Sequence, residues 1–98
     1  MNNPLLFIIG TLFVTALAAE PLEWPSYGGT LAQNRFIDDP SINTGNVSHL
    51  KLKWLFQTGV VGSFENTPIV KDGVMYITTP YNHIYALDAG SGKRLWRY

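Results

Sequence analysis

The side chains able to do chemistry are few and scattered along this 98-residue chain. The two histidines, His49 and His83, stand far apart, and no cysteine is present to join either of them. Metal sites draw their ligands from closely spaced groups, so each histidine reads as a structural or surface residue. Gly90-Ser91-Gly92-Lys93 resembles a phosphate-binding loop only faintly. It lacks the longer glycine-rich frame and the following helix that would cradle phosphates. Asp88, just ahead of it, could be read as a calcium ligand, but its position favours capping a tight turn with its carboxylate. Trp24, Trp54 and Trp96 could line a substrate box, although large aromatics in extended segments ordinarily pack into a core. Glu65, in Phe64-Glu65-Asn66-Thr67-Pro68, is the remaining candidate. On spacing alone it is a solvated loop carboxylate.

The elements that must position these residues begin after an export-like leader. Residues 5–14 are an apolar run, followed by Ala16-Leu17-Ala18-Ala19 and then the first charge, Glu20. An apolar stretch of this length closed by an Ala-x-Ala site is built like a secretory signal peptide, and it is shorter than a membrane-spanning helix requires. Residues 1–19 are therefore expected to be a cleaved signal, although no Lys or Arg precedes the apolar run. The chain has seven basic and seven acidic residues and a formal net charge of zero. Such a balance argues against nucleic acid as a partner, because phosphate binding needs a basic surface. With no cysteine, neither a disulfide nor a lipid-anchoring thiol can stabilise or tether this segment.

Residues 20–50 are dense in Pro, Gly, Asn and Asp and read as an extended, irregular arm with Trp24, Tyr27 and Phe36 as apolar anchors. One helical turn is expected within residues 41–50, capped by Thr44 or Asn46. From residue 51 the texture becomes that of a β-meander. Residues 52–58 alternate Trp54 and Phe56 against Lys53, Leu55 and Gln57 and predict a strand. A second strand starts at Thr67-Pro68, since proline fits best near a strand start. Asp72-Gly73 predicts a tight hairpin turn, residues 74–79 a third strand, residues 83–87 a fourth and residues 94–98 a fifth. The fold class expected is all-β, an antiparallel four-stranded sheet flanked by a further strand.

Trp54-Leu55-Phe56 and Trp96-Arg97-Tyr98 are both Trp-x-aromatic and lie 42 residues apart. Four strands in a period of roughly 40–45 residues is the spacing of a propeller blade. In such a ring the strand holding Trp54 would be the outer strand of one blade and residues 67–98 the four strands of the next.

Residues 86–96, ALDAGSGKRLW, are similar to the tryptophan-docking repeat of quinoprotein dehydrogenases. That repeat has Ala first, Asp third, Gly seventh and Trp eleventh, positions held here by Ala86, Asp88, Gly92 and Trp96. Ser91 replaces the usual Thr and keeps the hydroxyl. The likeness extends back through FENTPIVKDGVMYITTP and NVSHLKLKWLFQTG to WPSYGGTLAQNRF. The chain thus resembles the N-terminal part of a quinoprotein alcohol dehydrogenase: a leader, an arm over residues 20–50, and over residues 51–98 the first blade of an eight-bladed β-propeller with its ring-closing strand. The resemblance implies pyrroloquinoline quinone and a calcium ion on the propeller axis, a small alcohol as substrate, a periplasmic location, and a cytochrome or membrane quinone as electron acceptor. It also implies a cofactor-binding role for Glu65, since the family carries a cofactor-contacting Glu three residues before this proline. The family's catalytic Asp, calcium ligands and adjacent cysteine pair have no counterparts up to Tyr98, so no catalytic or metal-binding residue is assigned and the segment alone is not expected to be active. Two other readings share the docking repeat: a non-catalytic propeller scaffold of outer-membrane protein assembly, which is typically a lipoprotein, and a sugar dehydrogenase of the same superfamily, often bearing a multi-span anchor.

The chain ends within an aromatic strand, which reads as a truncation, and a single blade leaves both faces and an edge bare. The segment without its leader, prepared alone, is therefore expected to aggregate or to lack a sharp transition in a thermal melt. A cooperative monomeric melt would contradict the blade reading.

Overall fold

The computed structural model describes residues 22–98, and the leader expected over residues 1–19 lies outside the described residues. Four strands form one antiparallel sheet in sequence order: β1 (Ile69–Lys71), β2 (Val74–Thr79), β3 (His83–Asp88) and β4 (Arg94–Arg97). β-branched and aromatic residues dominate β2 and β3, as suits a pleated and half-buried surface. The β1–β2 turn places Asp72 at φ 50° and Gly73 at φ 73°. Two successive positive φ values give the backbone twist that two-residue hairpins need, which is why Asp-Gly stands there. The β2–β3 turn does the same with Tyr81 at φ 67° and Asn82 at φ 62°. Asparagine tolerates that region, whereas tyrosine adopts it under strain.

Asp88 closes the β3–β4 turn. Its Oδ1 accepts from the Ser91 N–H at 2.7 Å and from the Ser91 hydroxyl at 2.6 Å. Ser91, through its hydroxyl first and its N–H second, holds the Asp88 carboxyl below its ordinary value. The hydroxyl at position 91 thus has a use that Ser and Thr both satisfy. A bulge between Ala86 and Leu87 then shifts the β3–β4 register, after which Tyr98 exchanges both backbone bonds with Ile84 at 2.8 and 2.9 Å.

Residues 52–58, expected as a strand, do not form one. The period-two pattern nonetheless holds: Trp54, Phe56, Thr58 and Val60 are half-buried while Lys53, Leu55, Gln57 and Val61 are exposed. The segment is extended and lies on one face of the sheet through its side chains, so no ladder forms with the strands beneath it. Phe56 meets Tyr85 edge-on with ring centroids 5.4 Å apart, and the Tyr85 hydroxyl donates to the Thr58 carbonyl at 3.2 Å. The Trp54 indole N–H donates to the Ala89 carbonyl at 3.1 Å, and its ring lies against Gly92. Beneath this cover Tyr85 and Leu87 are each 1% exposed. Burying one such large side chain is worth about 2 kcal/mol, against about 1 kcal/mol net for one hydrogen bond. Apolar cover therefore holds the segment down, and the polar contacts fix where along the sheet it sits.

The opposite face stays open. Ile69, Tyr76 and Trp96 line it through the pairs Ile69↔Tyr76, Tyr76↔Ala86 and Ala86↔Trp96. Trp96 leans on Tyr76 at 6.1 Å between centroids yet remains 47% exposed, so it does not share the core position expected of it. Trp54 is packed and Trp24 is half-buried, folded over Gly29.

The arm is irregular, as expected, and is pinned at its start. Trp24 exchanges two backbone bonds of 2.9 Å with Val70 on the free edge of β1. Glu23 receives the Lys71 ammonium at 2.8 Å and the Asp72 N–H at 3.0 Å. The expected helical turn is a 3-10 turn at Val47–His49 with Asn46 at its N-cap position. The Asn46 side chain instead accepts from the Asn43 N–H and donates to the Ser41 carbonyl.

Two tests follow from these contacts. Gly92 and Gly59 both sit at φ +72°, but a Cβ at Gly92 would lie 2.5 Å from the Trp54 ring while one at Gly59 would meet nothing within 4 Å. In denaturant unfolding of the intact protein, Gly59→Ala should therefore cost about 1 kcal/mol from backbone strain alone, and Gly92→Ala at least about 1 kcal/mol more. Equal losses would show that the indole does not dock there. The second test concerns Glu23, whose carboxyl is lowered from 4.5 by the Lys71 hydrogen bond first and the Asp72 N–H second, and Lys71, raised from 10.5 first by Glu23. A lowered acid loses its contribution as pH falls through its folded value, and a raised base loses its own as pH rises through its folded value. The stability difference between the parent and Glu23→Gln should thus be greatest between pH 4.5 and 10.5 and shrink outside that window. A difference that does not vary with pH would exclude the ion pair as its source.

Candidate functional site

Glu65 stands in the loop that carries the chain from the extended segment into β1, and the composition of that loop dictates its path. Pro68 holds Thr67 in the extended region, and its nitrogen faces the outer edge of β1, the side on which Val70 meets Trp24, where a missing N–H costs no ladder bond. The β1 ladder starts at Ile69, paired with Tyr76. Extending that register places Thr67 opposite Thr78. Ile84 spends its backbone bonds on Tyr98, so the Thr78↔Ile84 pair is a non-hydrogen-bonded one and the Thr78 backbone groups face the β1 side. No main-chain donor from Thr67 reaches them. The Asn66 side chain does: its Nδ2 donates to the Thr78 carbonyl at 2.6 Å and to Thr78 Oγ1 at 2.8 Å. At the other end of the loop Gly62 lies so close to Pro80 that a Cβ would come within 2.9 Å of its ring.

Between these two fixed points Ser63, Phe64 and Glu65 are exposed. With Asn66, Thr78, Thr79 and Pro80 they line an open cavity of about 250 Å³ at the end of the sheet where β2 gives way to β3. A second hollow of about 280 Å³, lined by Thr78, Thr79, Asn82, His83 and Ile84, shares two of those residues. Small-molecule sites enclose roughly 300–1,000 Å³, and the Glu65 cavity falls just below that range. Among the described residues Glu65 makes no ion pair and no hydrogen bond, leaving its carboxylate free to meet a ligand. Ser63 adds a hydroxyl, and Phe64, 49% exposed, adds an apolar face.

His49 is exposed and His83 half-buried, and the structure does not bring them together. Among the described residues no group of three His, Cys, Asp or Glu could hold a metal ion. Asp88 is engaged in its turn. A cavity of about 500 Å³ lies on the arm between Leu22, Phe36, Ile37, Pro40 and Ile42. Of the two acids beside it, Asp39 is committed to Ser41, whose hydroxyl and then N–H keep its carboxyl below the ordinary value. No helix of the described residues is long and apolar enough to cross a membrane. Asn66 is the residue of the site that sequence reasoning missed. Within a loop it reads as a turn former, and its use emerges only from the β1–β2 register.

Residues 24–98 match the family described as glucose/ethanol/alcohol dehydrogenase, β-propeller domain. The dehydrogenase subunit of the quinone alcohol dehydrogenase of Gluconobacter oxydans (strain 621H) is 42% identical over 78 residues, covering 80% of this chain and 10% of that protein. The quinoprotein glucose dehydrogenase of Escherichia coli (strain K12) is 38% identical over 105 aligned positions, covering 93% of this chain and 13% of that protein. The crystal structure of the quinohemoprotein alcohol dehydrogenase from Comamonas testosteroni superposes with a TM-score of 0.74 at 34% identity, over 79% of this chain and 12% of that one. The chain thus spans about a tenth of the length of the relatives it matches.

Proposed function

This chain belongs to the glucose/ethanol/alcohol dehydrogenase β-propeller family, and from that premise we propose that it supplies the first blade of a periplasmic, pyrroloquinoline-quinone-dependent alcohol dehydrogenase. The observation that carries the reading is Glu65: an exposed carboxylate without a protein partner among the described residues, held on a pinned loop beside a cavity at one end of the blade. The substrate class is a small alcohol. Electrons leave to a cytochrome or a membrane quinone.

The residues present suit one edge of the cofactor. Glu65 would accept hydrogen bonds or neighbour a bound cation, Ser63 would donate or accept, and Phe64 would offer an exposed apolar face. When bound, pyrroloquinoline quinone supplies the two-electron redox chemistry, and the protein's task is to hold and orient it. Glu65 does its share by presenting a fixed anionic edge. Trp54, seated on Gly92, sets the spacing between the extended segment and the blade, and so sets how far the loop reaches. The described residues offer no cluster for calcium, so in this reading its ligands come from elsewhere in the protein. The general base that takes the alcohol proton is likewise assigned to no residue of this chain.

A sugar substrate is the second reading, favoured by the likeness to the glucose dehydrogenase of Escherichia coli. Supplying the intact protein with quinone and offering ethanol or glucose separates the two. For the cofactor assignment, the intact protein freed of quinone is titrated with pyrroloquinoline quinone, following tryptophan fluorescence. Replacing Glu65 by Gln removes a charged hydrogen-bonding partner worth about 1.5–3 kcal/mol, so the dissociation constant should rise at least about tenfold. An unchanged constant would refute the role given to Glu65.

A further inference from the structure

We infer that Asn66 is a positioning residue for Glu65, and that its side-chain amide, standing in for a missing rung of the β1–β2 ladder, fixes where the carboxylate points. The inference rests on the cofactor reading of Glu65 and concerns how that carboxylate is held.

A two-residue irregularity leads into β1. Thr67 makes no backbone bond to Thr78, although the register sets the two opposite each other. An edge carbonyl in that place would ordinarily be left to water. Asn66 fills the place with one nitrogen that reaches both the carbonyl and the hydroxyl of Thr78, at 2.6 and 2.8 Å. The two acceptors lie on one residue of a central strand, so the amide is oriented as well as tethered. Glu65 is the next residue toward the N-terminus. With Asn66 fixed on β2 and Gly62 packed on Pro80, only three residues span the interval. A loop this short has little freedom of its own. Asp and Ala are the informative replacements: Asp has no donor and sets a second negative charge beside Glu65, and Ala removes the contact without adding charge.

The pair of hydrogen bonds is confined to one side chain, so its loss should leave the sheet intact and loosen the loop. This differs from a stabilising role in one measurable respect. If Asn66 acts through Glu65, its effect on cofactor binding disappears once Glu65 is gone.

The experiment uses the intact protein freed of quinone, in the parent, Asn66→Ala, Glu65→Gln and the double variant, with Thr78→Val and Thr78→Ser alongside. Pyrroloquinoline quinone affinity is measured by fluorescence titration, and backbone hydrogen exchange is followed over residues 62–67 and over β2 and β3. Asn66→Ala should weaken quinone binding about five- to tenfold and speed exchange at residues 63–65, with β2 and β3 unchanged. It should add nothing in the Glu65→Gln background. Thr78→Val should weaken binding in the same direction and Thr78→Ser should recover it, since Ser keeps the hydroxyl. A Glu65→Gln variant that binds normally overturns the cofactor reading itself. A Glu65→Gln variant that binds weakly, beside an Asn66→Ala variant that binds and exchanges like the parent, overturns the positioning role alone. Additive losses in the double variant also overturn it, because they assign Asn66 an effect independent of Glu65.

Discussion

The seating of Trp54 on Gly92 is the contact on which the arrangement of this blade depends. An indole ring lies flat against an α-carbon only where no side chain intervenes, and its N–H finds the Ala89 carbonyl three residues earlier in the same turn. The turn in question is the one Asp88 and Ser91 build. A rigid β3–β4 turn therefore serves as the socket, and the extended segment is the part that plugs into it. Once Trp54 is seated, the period-two spacing brings Phe56 to Tyr85 and the Thr58 carbonyl to the Tyr85 hydroxyl. Tyr85 and Leu87 are thereby shielded from solvent, and the chain emerging from that cover enters the Glu65 loop at a set distance from β2.

A four-stranded sheet presents two faces, and here they are treated differently. The face under Trp54, Phe56 and Thr58 holds Tyr85 and Leu87. The other carries Ile69, Tyr76 and Trp96 with nothing over them among the described residues. Trp96 occupies the same place in its Trp-x-aromatic triplet as Trp54, one blade period on. Trp96 is 47% exposed, whereas the Trp54 indole is packed on Gly92 and bonded to Ala89. This arrangement is consistent with the propeller domain that the family match describes.

Much of this architecture is legible in the sequence, and the exceptions share a cause. Residues 74–79 and 83–88 announce themselves by β-branched and aromatic density, and Asp72-Gly73 by the φ values only such a pair adopts readily. The strand expected over residues 52–58 has the right alternation and the wrong bonding. Alternation reports which side chains face the core and is silent about whether the backbone has a neighbour. The arm likewise shows its aromatic anchors but not that Trp24 would bond Val70 or that Glu23 would reach Lys71. Those pairings join residues more than forty positions apart, and no local signal encodes them. Glu65 becomes visible only through the likeness to a known family, because a lone acid in a loop has no distinguishing pattern of its own.

Asn66 shows why a site's supporting residues are harder to read than its reacting ones. A reacting group must be of a particular chemical type, whereas a support need only meet whatever its surroundings leave unmet. Here the unmet group is the Thr78 carbonyl, and its need arises from three facts: the pairing of Ile69 with Tyr76 that sets Thr67 opposite Thr78, the engagement of Ile84 with Tyr98 that turns this carbonyl toward β1, and the backbone bond that Thr67 does not make. None of these mentions Asn66. The demand is created by strand register and by the backbone bond that Thr67 does not make, and a short amide that donates without carrying charge satisfies it beside the Glu65 carboxylate. A longer donor such as lysine would bring a positive charge to neutralise Glu65, and a hydroxyl would reach less far from the backbone. The geometry of the loop therefore selects the chemistry of the residue beside the acid, and the acid in turn owes its placement to a ladder that ends one rung early.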